Sequence, residues 1–182
     1  MGMAAPVYYT ADMVRNLPDD GNRYETVYGE LLVTPAPRLW HQEVAARLGE
    51  TLRAYLREFP VGHAITGRAD ISWGPDILVE PDVFVAPLDQ VRTLDWASVK
   101  DLRLVAEVLS PSSVRYDRFT KRRLYQERGI PVYWIVDPDR HEVEVWTPDA
   151  RFPQVERERL TWHPAGAAKP LVVPLVDLFR AI

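Results

Sequence analysis

Three charged residues, Asp82, Glu107 and Lys121, differ from the residue types that surround them. Glu107 lies within the apolar run LRLVAEVLS, where an ionised carboxylate is costly unless it is paired or binds a metal. Asp82 interrupts a second apolar run, ILVEPDVFVA. Lys121 is one of only three lysines among 22 basic residues. Taken singly, they have ordinary explanations: a structural ion pair, a solvated strand bend and an exposed helix face.

Taken together, two carboxylates on neighbouring strands can hold one Mg²⁺ ion, with a lysine nearby. Mg²⁺ takes oxygen ligands and keeps water molecules, which can attack a phosphodiester. The lysine can orient or deprotonate that water and offset negative charge in the transition state. We therefore predict a Mg²⁺ site for phosphodiester hydrolysis at Asp82, Glu107 and Lys121, where Mn²⁺ can substitute.

Two predicted strands position the carboxylates. Residues 102–110 form a nearly continuous apolar run, which is typical of a central strand buried on both faces. Residues 77–86 predict a second strand that contains Asp82. Pro81 has no backbone N–H group, so we expect an edge or a bulge at this point, and bulges often aim a side chain at a site.

The lysine is positioned by a predicted helix over residues 117–128, which ends at Gly129. A second buried strand, residues 131–137, follows it. This strand–helix–strand order predicts a right-handed parallel crossover. The first turn of the helix would then lie over Glu107.

The remaining segments are expected to surround this core. An alternating pattern predicts a β-hairpin over residues 23–35 that turns at Gly29, and apolar residues at helical spacing predict a helix over residues 40–58. Further predicted elements are a short helix at 10–17, strands at 63–67 and 69–73, a polar loop with one helical turn at 87–100, a hairpin arm at 142–146, and one or two strands and a short helix within 152–180.

The order of these elements predicts an α/β fold with one mixed sheet, flanked by helices and extended by hairpins. The length of 182 residues suits a single domain over 1–182, with the hairpin at 23–35, a core at 40–137 and a β extension at 138–182.

Composition narrows the class of protein. There is no cysteine, which excludes disulfides, thiolate metal sites and cysteine nucleophiles. The net charge of −4 disfavours a passive nucleic-acid-binding protein, although a carboxylate site that takes up metal is itself acidic. We see no signal peptide and no apolar run long enough for a membrane span, so we expect a soluble cytoplasmic protein.

Several motifs resemble the Uma2-type endonuclease family over roughly residues 10–180. They are ETVYGELLVTPAP, His41 at the head of the long helix, VEPDVFV, LVAEVLSPSS, DRFTKRRLY and GIPVYWIVDP. The resemblance implies a PD-(D/E)XK endonuclease-like core. It also implies that Asp82 and Glu107 bind metal together with the backbone carbonyl of Val108, that Lys121 is the catalytic lysine, and that Glu30 is an auxiliary carboxylate.

One feature departs from the plain PD-(D/E)XK pattern, in which the lysine lies two residues after the acid. Leu109 occupies that position here. Uma2-like sequences instead place the lysine on the following helix, as this chain does with Lys121. Folding must then restore the geometry of the site.

Other polar residues near these motifs are secondary candidates. His41 could contact phosphate or assist proton transfer, or could simply lie at the helix end that faces the site. Asp117 could support the site, or act as a helix N-terminal acid or as an i,i+4 partner of Lys121. The hydroxyls of Ser110 and Ser112 could contact phosphate or form loop hydrogen bonds. Tyr125 could form a wall of the pocket or pack against the sheet.

The arginines beside Lys121 could supply the local basic patch that a nucleic acid needs, or simply form a solvated helix face. They are Arg115, Arg118, Arg122 and Arg123.

The leading hypothesis is a Mg²⁺-dependent endonuclease acting on DNA, expected as a homodimer because cutting both strands needs two sites. A second hypothesis is a non-catalytic nucleic-acid-binding or interaction module with a degenerate site. A third is a glycoside hydrolase that uses the same two carboxylates. That chemistry needs no metal and leaves Lys121 without an obvious role.

Overall fold

The computed structural model describes residues 7–182, beginning with a short helix and a β-hairpin. Helix α1 (Ala11–Arg15) is capped by Thr10, whose Oγ1 accepts a hydrogen bond from the backbone N–H of Met13 at 3.2 Å. Strands β1 (Arg23–Val27) and β2 (Glu30–Thr34) pair antiparallel. Tyr28 and Gly29 have φ angles of 54° and 79°, as a tight hairpin turn requires. The predicted hairpin and its turn are confirmed.

The long helix α2 (Leu39–Glu58) confirms the predicted helix over residues 40–58. Its apolar stripe, which includes Val44, Leu48 and Leu52, is fully buried. Gly49 lies on this buried side, and a Cβ atom there would overlap the side chain of Thr66. Glycine therefore allows the helix to approach the sheet closely.

Ten strands form two sheets rather than the single sheet that we expected. The four-stranded sheet has the order β2-β1-β5-β4, and the six-stranded sheet has the order β10-β9-β8-β7-β6-β3. The bounds of the added strands are β3 (His63–Thr66), β4 (Ile71–Gly74), β5 (Ile77–Val79), β6 (Val83–Ala86), β7 (Leu104–Val108), β8 (Tyr133–Asp137), β9 (Glu142–Trp146) and β10 (Gln154–Glu156).

The prediction of one strand over residues 77–86 is wrong. The segment divides into β5 and β6, which belong to different sheets. Pro81 lies between them, where its missing N–H group costs neither ladder a hydrogen bond. Strand β6 is not an edge strand either, because it lies between β3 and β7. Asp82 is thus the last residue before a central strand.

The predicted strand–helix–strand unit is confirmed. Strands β7 and β8 pair in parallel, and the other strand pairs are antiparallel in the part of the chain that the structure describes. A π-helical segment (Tyr116–Lys121) and helix α4 (Arg122–Glu127) connect them, after which Gly129 has a φ angle of 67°. π-Helical turns inside helices are rare and are frequent at functional sites.

The loop between β6 and β7 and the tail complete the fold. The loop has slightly more helix than predicted, with α3 (Leu88–Val91) and a 3₁₀ turn (Trp96–Ser98). The tail adds β10, a separate pair β11 (Arg159–Trp162) and β12 (Leu171–Pro174), and helix α5 (Leu175–Leu178). The tail therefore has three strands where one or two were expected. None of the helices within residues 7–182 is both long enough and apolar enough to cross a membrane.

The six-stranded sheet is covered on both faces. Helix α2, the β11–β12 pair and α5 pack on the face that carries Val85 and Ala106. The four-stranded sheet and α4 pack on the opposite face, with Phe84 and Val105. Because side chains alternate along a strand, Glu107 shares the face of Val105. The carboxylate therefore lies between the two sheets.

Candidate active site

Asp82 and Glu107 lie side by side on neighbouring chain segments. Val83 pairs with Ala106 in the β6–β7 ladder, so extending the register by one residue places Asp82 opposite Glu107. The backbone N–H of Asp82 donates a hydrogen bond to Glu107 Oε2 at 3.3 Å. Both side chains are buried, with exposed fractions of 6% and 2%. The structure thus places the two carboxylates next to each other, and their shared role in a metal site stays a prediction.

Asp82 is held ionised by its surroundings. Its Oδ1 accepts a hydrogen bond from Arg23 Nη1 at 2.8 Å, and its Oδ2 accepts one from the backbone N–H of Val108 at 2.9 Å. His41 Nε2 lies 3.2 Å from Oδ2. Burial acts to raise the pKa of Asp82, but the hydrogen bond from His41 and the charge of Arg23 hold it below its usual range.

Glu107 has the opposite electrostatic balance. Burial raises its pKa well above the ordinary value for a glutamate; Lys121 opposes this shift and the charge of Asp82 adds to it. Glu107 Oε1 accepts hydrogen bonds from Lys121 Nζ and from the hydroxyl of Tyr125, each at 3.0 Å. Tyr125 is fully buried, so it supports the acid from within the core.

Lys121 is the last residue of the π-helical segment and is 3% exposed. Its Nζ lies 2.8 Å from Glu25 Oε2, 3.0 Å from Glu107 Oε1 and 3.7 Å from Asp117 Oδ1. Burial lowers the pKa of Lys121, but these carboxylates outweigh burial and raise it above the ordinary value. In this arrangement the lysine is a protonated cation. This disfavours the idea that it removes a proton from water.

Glu25 is a site residue that the sequence analysis missed. Its Oε1 accepts a hydrogen bond from the backbone N–H of Glu80 at 2.7 Å, and its side chain is buried. Arg23 and Glu25 are two residues apart on β1, so they share a face and both reach the site. A charged pair at this spacing, on the face opposite Tyr24 and Thr26, was the signal available in the sequence.

Glu30, the predicted auxiliary carboxylate, lies elsewhere. It pairs with Val27 at the turn end of the hairpin, and its side chain is exposed. It makes no ion pair with any side chain within residues 7–182. The prediction chose the wrong glutamate of the hairpin, because the inward-facing position is Glu25.

His41 and Asp117 are both brought to the site. His41 lies in the first turn of α2 and is 8% exposed, which explains its contact with Asp82. Asp117 is 2% exposed, and burial raises its pKa to about 6. Its i,i+4 pairing with Lys121, one of the alternatives, is present. Because Lys121 also contacts Glu25 and Glu107, this pair belongs to the site and is not an isolated surface contact.

An open cleft of about 480 Å³ has His41, Asp82, Glu107, Asp117 and Lys121 at its floor, whereas Glu25 is not part of its lining. Its lining includes the backbone after β2, the first turns of α2, the turn after β3 and the loop after β7. Ser110 and Ser112 line the cleft, and their hydroxyl oxygens lie 3.1 Å apart. Both alternatives for these serines, loop hydrogen bonding and access to a ligand, are therefore compatible with their position.

The arginines proposed as a basic patch do not line this cleft. Arg118 Nε donates to Glu144 Oε1 at 2.8 Å, and the Arg122 guanidinium stacks over the Trp146 ring at 4.7 Å. These contacts tie both side chains to strand β9. Arg115 is exposed beside the loop after β7.

The donor chemistry of the floor suits a hard divalent cation. Three buried carboxylates line the floor, Asp82, Glu107 and Asp117, and a fourth, Glu25, contacts Lys121 outside the lining. Among the contacts described above, these four carboxylates face only two permanent cations, Arg23 and Lys121. Oxygen ligands and excess negative charge are what Mg²⁺ requires. Within residues 7–182, no group of three or more His, Asp or Glu side chains has the spacing of a preformed metal site. Two carboxylates supplemented by a backbone carbonyl remain compatible with Mg²⁺, which keeps several water ligands.

A family model described as "Uma2: Putative restriction endonuclease" matches residues 11–172. The chain belongs to the Uma2 family. This assignment supports a nuclease, and hence a hydrolase.

A crystal structure from Anabaena variabilis shares the Uma2 fold. It is described as "a putative nuclease belonging to DUF820", with a TM-score of 0.77, 22% sequence identity, and coverage of 94% of this chain and 97% of that chain. At this identity the likeness establishes the fold alone. The comparison with curated proteins found no match.

Proposed function

We propose that this Uma2 protein is a Mg²⁺-dependent endonuclease that hydrolyses DNA phosphodiester bonds. The observation that carries the proposal is the pairing of Asp82 with Glu107 at the floor of an open cleft, with Lys121 fixed against Glu107. Membership of a family described as restriction endonucleases favours this chemistry over a glycoside hydrolase.

Asp82, Glu107 and the backbone carbonyl of Val108 would hold the metal. Bound there, Mg²⁺ would supply Lewis-acid polarisation of phosphate and activation of water. Asp82 is suited to this role because its pKa is below its usual range, so it is ionised across the physiological range. Binding a divalent cation beside Glu107 would likewise favour the charged form of that acid.

The protein groups around the metal ligands have separate roles. The Tyr125 hydroxyl and Lys121 fix the orientation of Glu107 through hydrogen bonds to the same oxygen. The protonated Lys121 would stabilise negative charge that develops on the phosphate in the transition state. Glu25 and Asp117 would keep that ammonium group charged and in place.

The first test is calorimetric titration with Mn²⁺, which reports metal binding without requiring the right substrate. Wild type should bind about one Mn²⁺ per chain and Asp82→Ala should bind none. Asp149→Ala, which removes an exposed aspartate, is the matched control and should bind like wild type. If neither wild type nor the control binds metal, with or without a short DNA duplex, the proposed site is refuted.

Cleavage is then screened with Mg²⁺ on duplex DNA, single-stranded DNA and RNA. The proposal expects scission of duplex DNA by wild type and a loss of about 10²- to 10³-fold in Lys121→Met, the scale expected when one charge-stabilising group is removed. Exclusive cleavage of RNA would refute the choice of substrate. Light scattering on the intact protein tests the proposed homodimer.

The alternative of a non-catalytic binding module has one observation in its favour. Arg23, Lys121 and His41 already contact the carboxylate oxygens that a metal would use. This alternative expects no Mn²⁺ binding and no cleavage while nucleic acid still binds. The two experiments above therefore separate it from the nuclease.

A further inference from the structure

The rim of the cleft carries positive charge that the floor does not use. Arg38 and Arg68 line the same cleft as Asp82 and Glu107, and both are exposed at its surface. Arg23 also lines the cleft, but its guanidinium is committed to Asp82. The two rim arginines are therefore separate from the carboxylate floor in both position and partner.

Neither rim arginine has a strong ionic partner. Within residues 7–182, Arg38 has no carboxylate within 4.0 Å of its guanidinium. Arg68 approaches Asp19 only at 3.5 Å, and their side chains are 62% and 86% exposed. Exposed ion pairs of this kind contribute little to stability, so either arginine can give up its present contacts and bind a phosphate at a small cost in free energy.

The backbone adds to the positive potential beside Arg38. This residue is the N-cap of α2, a helix of 20 residues, and it provides no side-chain cap for the helix N–H groups. The first turn contains no acidic residue. The helix dipole therefore places partial positive charge at the same side of the cleft. Ala45, Ala46 and Gly67, which also line the cleft, leave room for a bulky backbone to approach.

A polyanion needs such a rim because the floor would otherwise repel it. The chain carries a net charge of −4, and the floor concentrates buried carboxylates. Phosphate contacts from arginine supply the sequence-independent part of nucleic-acid affinity. Arg118 and Arg122, which the sequence analysis named as candidates for this task, are instead held against β9.

We propose that Arg38 and Arg68 bind the sugar-phosphate backbone of duplex DNA on either side of the phosphate presented to Asp82 and Glu107. The choice of DNA as the ligand rests on the proposed function, whereas the choice of these two arginines rests on the geometry of the rim. The pair acts in substrate binding and leaves the metal site unchanged.

The experiment measures binding of a fluorescein-labelled DNA duplex by anisotropy over a series of salt concentrations, with Ca²⁺ replacing Mg²⁺ to prevent turnover. The test variant is Arg38→Gln/Arg68→Gln. Arg57→Gln is the matched control, because Arg57 is an exposed arginine at the other end of α2. Arg115→Gln/Arg118→Gln/Arg122→Gln tests the competing surface.

Loss of two phosphate contacts should lower the slope of log K against log salt by about 1.8, at about 0.9 per contact. If the two binding lines meet at 1 M salt, this corresponds to about 60-fold weaker binding at 0.1 M salt. Arg57→Gln should match wild type. Unchanged Mn²⁺ binding in the test variant shows that it folds with an intact metal site.

Two results would overturn the assignment. One is a slope in the test variant equal to that of the Arg57→Gln control. The other is a loss confined to the triple variant, which would move the DNA to the helix surface. If wild type itself binds RNA but not DNA, the choice of DNA fails. Unaltered Mn²⁺ binding in the same preparation would then show that the proposed metal site still stands although the proposed substrate is wrong.

Discussion

The buried ammonium group of Lys121 should be one of the largest single contributors to stability at neutral pH. Lys121→Met keeps the length of the side chain but removes the charge that faces Glu25, Glu107 and Asp117 at 2.8, 3.0 and 3.7 Å. Breaking a buried ion pair by removing one partner costs about 3–5 kcal/mol. We expect a loss within this range rather than three times as large, because Glu107 can take up a proton, as its raised pKa indicates.

The assay is urea denaturation in EDTA at pH 8 and again at pH 5. The loss should be smaller at pH 5, since burial raises the pKa values of Glu107 and Asp117 and both then accept protons more readily. Lys121→Met/Glu25→Gln should recover part of the loss at pH 8, because it removes one uncompensated charge. Lys169→Met, at an exposed lysine, is the control.

A loss below about 1 kcal/mol at pH 8 would refute the reasoning, since it would mean that the carboxylates do not depend on the lysine. Equal losses at pH 8 and pH 5 would also refute it. In that case lost packing, rather than lost charge, would explain the destabilisation.

Three further predictions concern neighbouring features. The pKa of Asp117 is raised to about 6, so the native state binds the extra proton and the contribution of Asp117 to stability should fall by about 2 kcal/mol as pH rises from 4 to 6. Asp117→Asn should show a fall that is smaller by this amount in urea denaturation, and parallel curves for the two proteins would contradict the assignment. Arg23→Gln should bind Mn²⁺ about tenfold more tightly in calorimetry, a gain of about 1.4 kcal/mol, because the metal no longer competes with a charge-assisted hydrogen bond from Arg23 to Asp82. Weaker binding would show that Arg23 supports the metal site instead. Gly49→Ala should destabilise the protein by about 1–3 kcal/mol despite the better helix propensity of alanine, because the added methyl group would overlap the side chain of Thr66. Thermal denaturation measures this loss, and a raised melting temperature would mean that α2 can move away from the sheet.

Local sequence patterns predicted most of the secondary structure. The hairpin turning at Gly29, the long helix and the parallel pair β7–β8 all follow from periodicity and turn residues, which act over a few positions of the chain. The division of the sheet could not be predicted in the same way. Residues 77–79 and 83–86 are apolar because both β5 and β6 are buried, and an apolar run does not say which neighbour a strand will pair with.

The residues of the candidate site, too, could be predicted only in part from the local sequence. Asp82, Glu107 and Lys121 were identifiable from the sequence, because a charge inside an apolar segment is expensive and needs a partner. Glu25 was missed since a glutamate on a half-polar hairpin looks ordinary until the four-stranded sheet packs against the six-stranded one. The rim arginines come from chain segments far apart in sequence.

The sequence by itself thus identified Asp82, Glu107 and Lys121 as residues that could carry chemistry, because a charged residue inside an apolar segment stands out in the local composition. Only the tertiary structure decided which charges meet. Electrostatic energies depend on distance and burial, and both are set by how the two sheets and α2 pack together. The same packing fixed Lys121 as a cation, gave Asp82 and Glu107 opposite pKa shifts, and left Arg38 and Arg68 exposed at the rim.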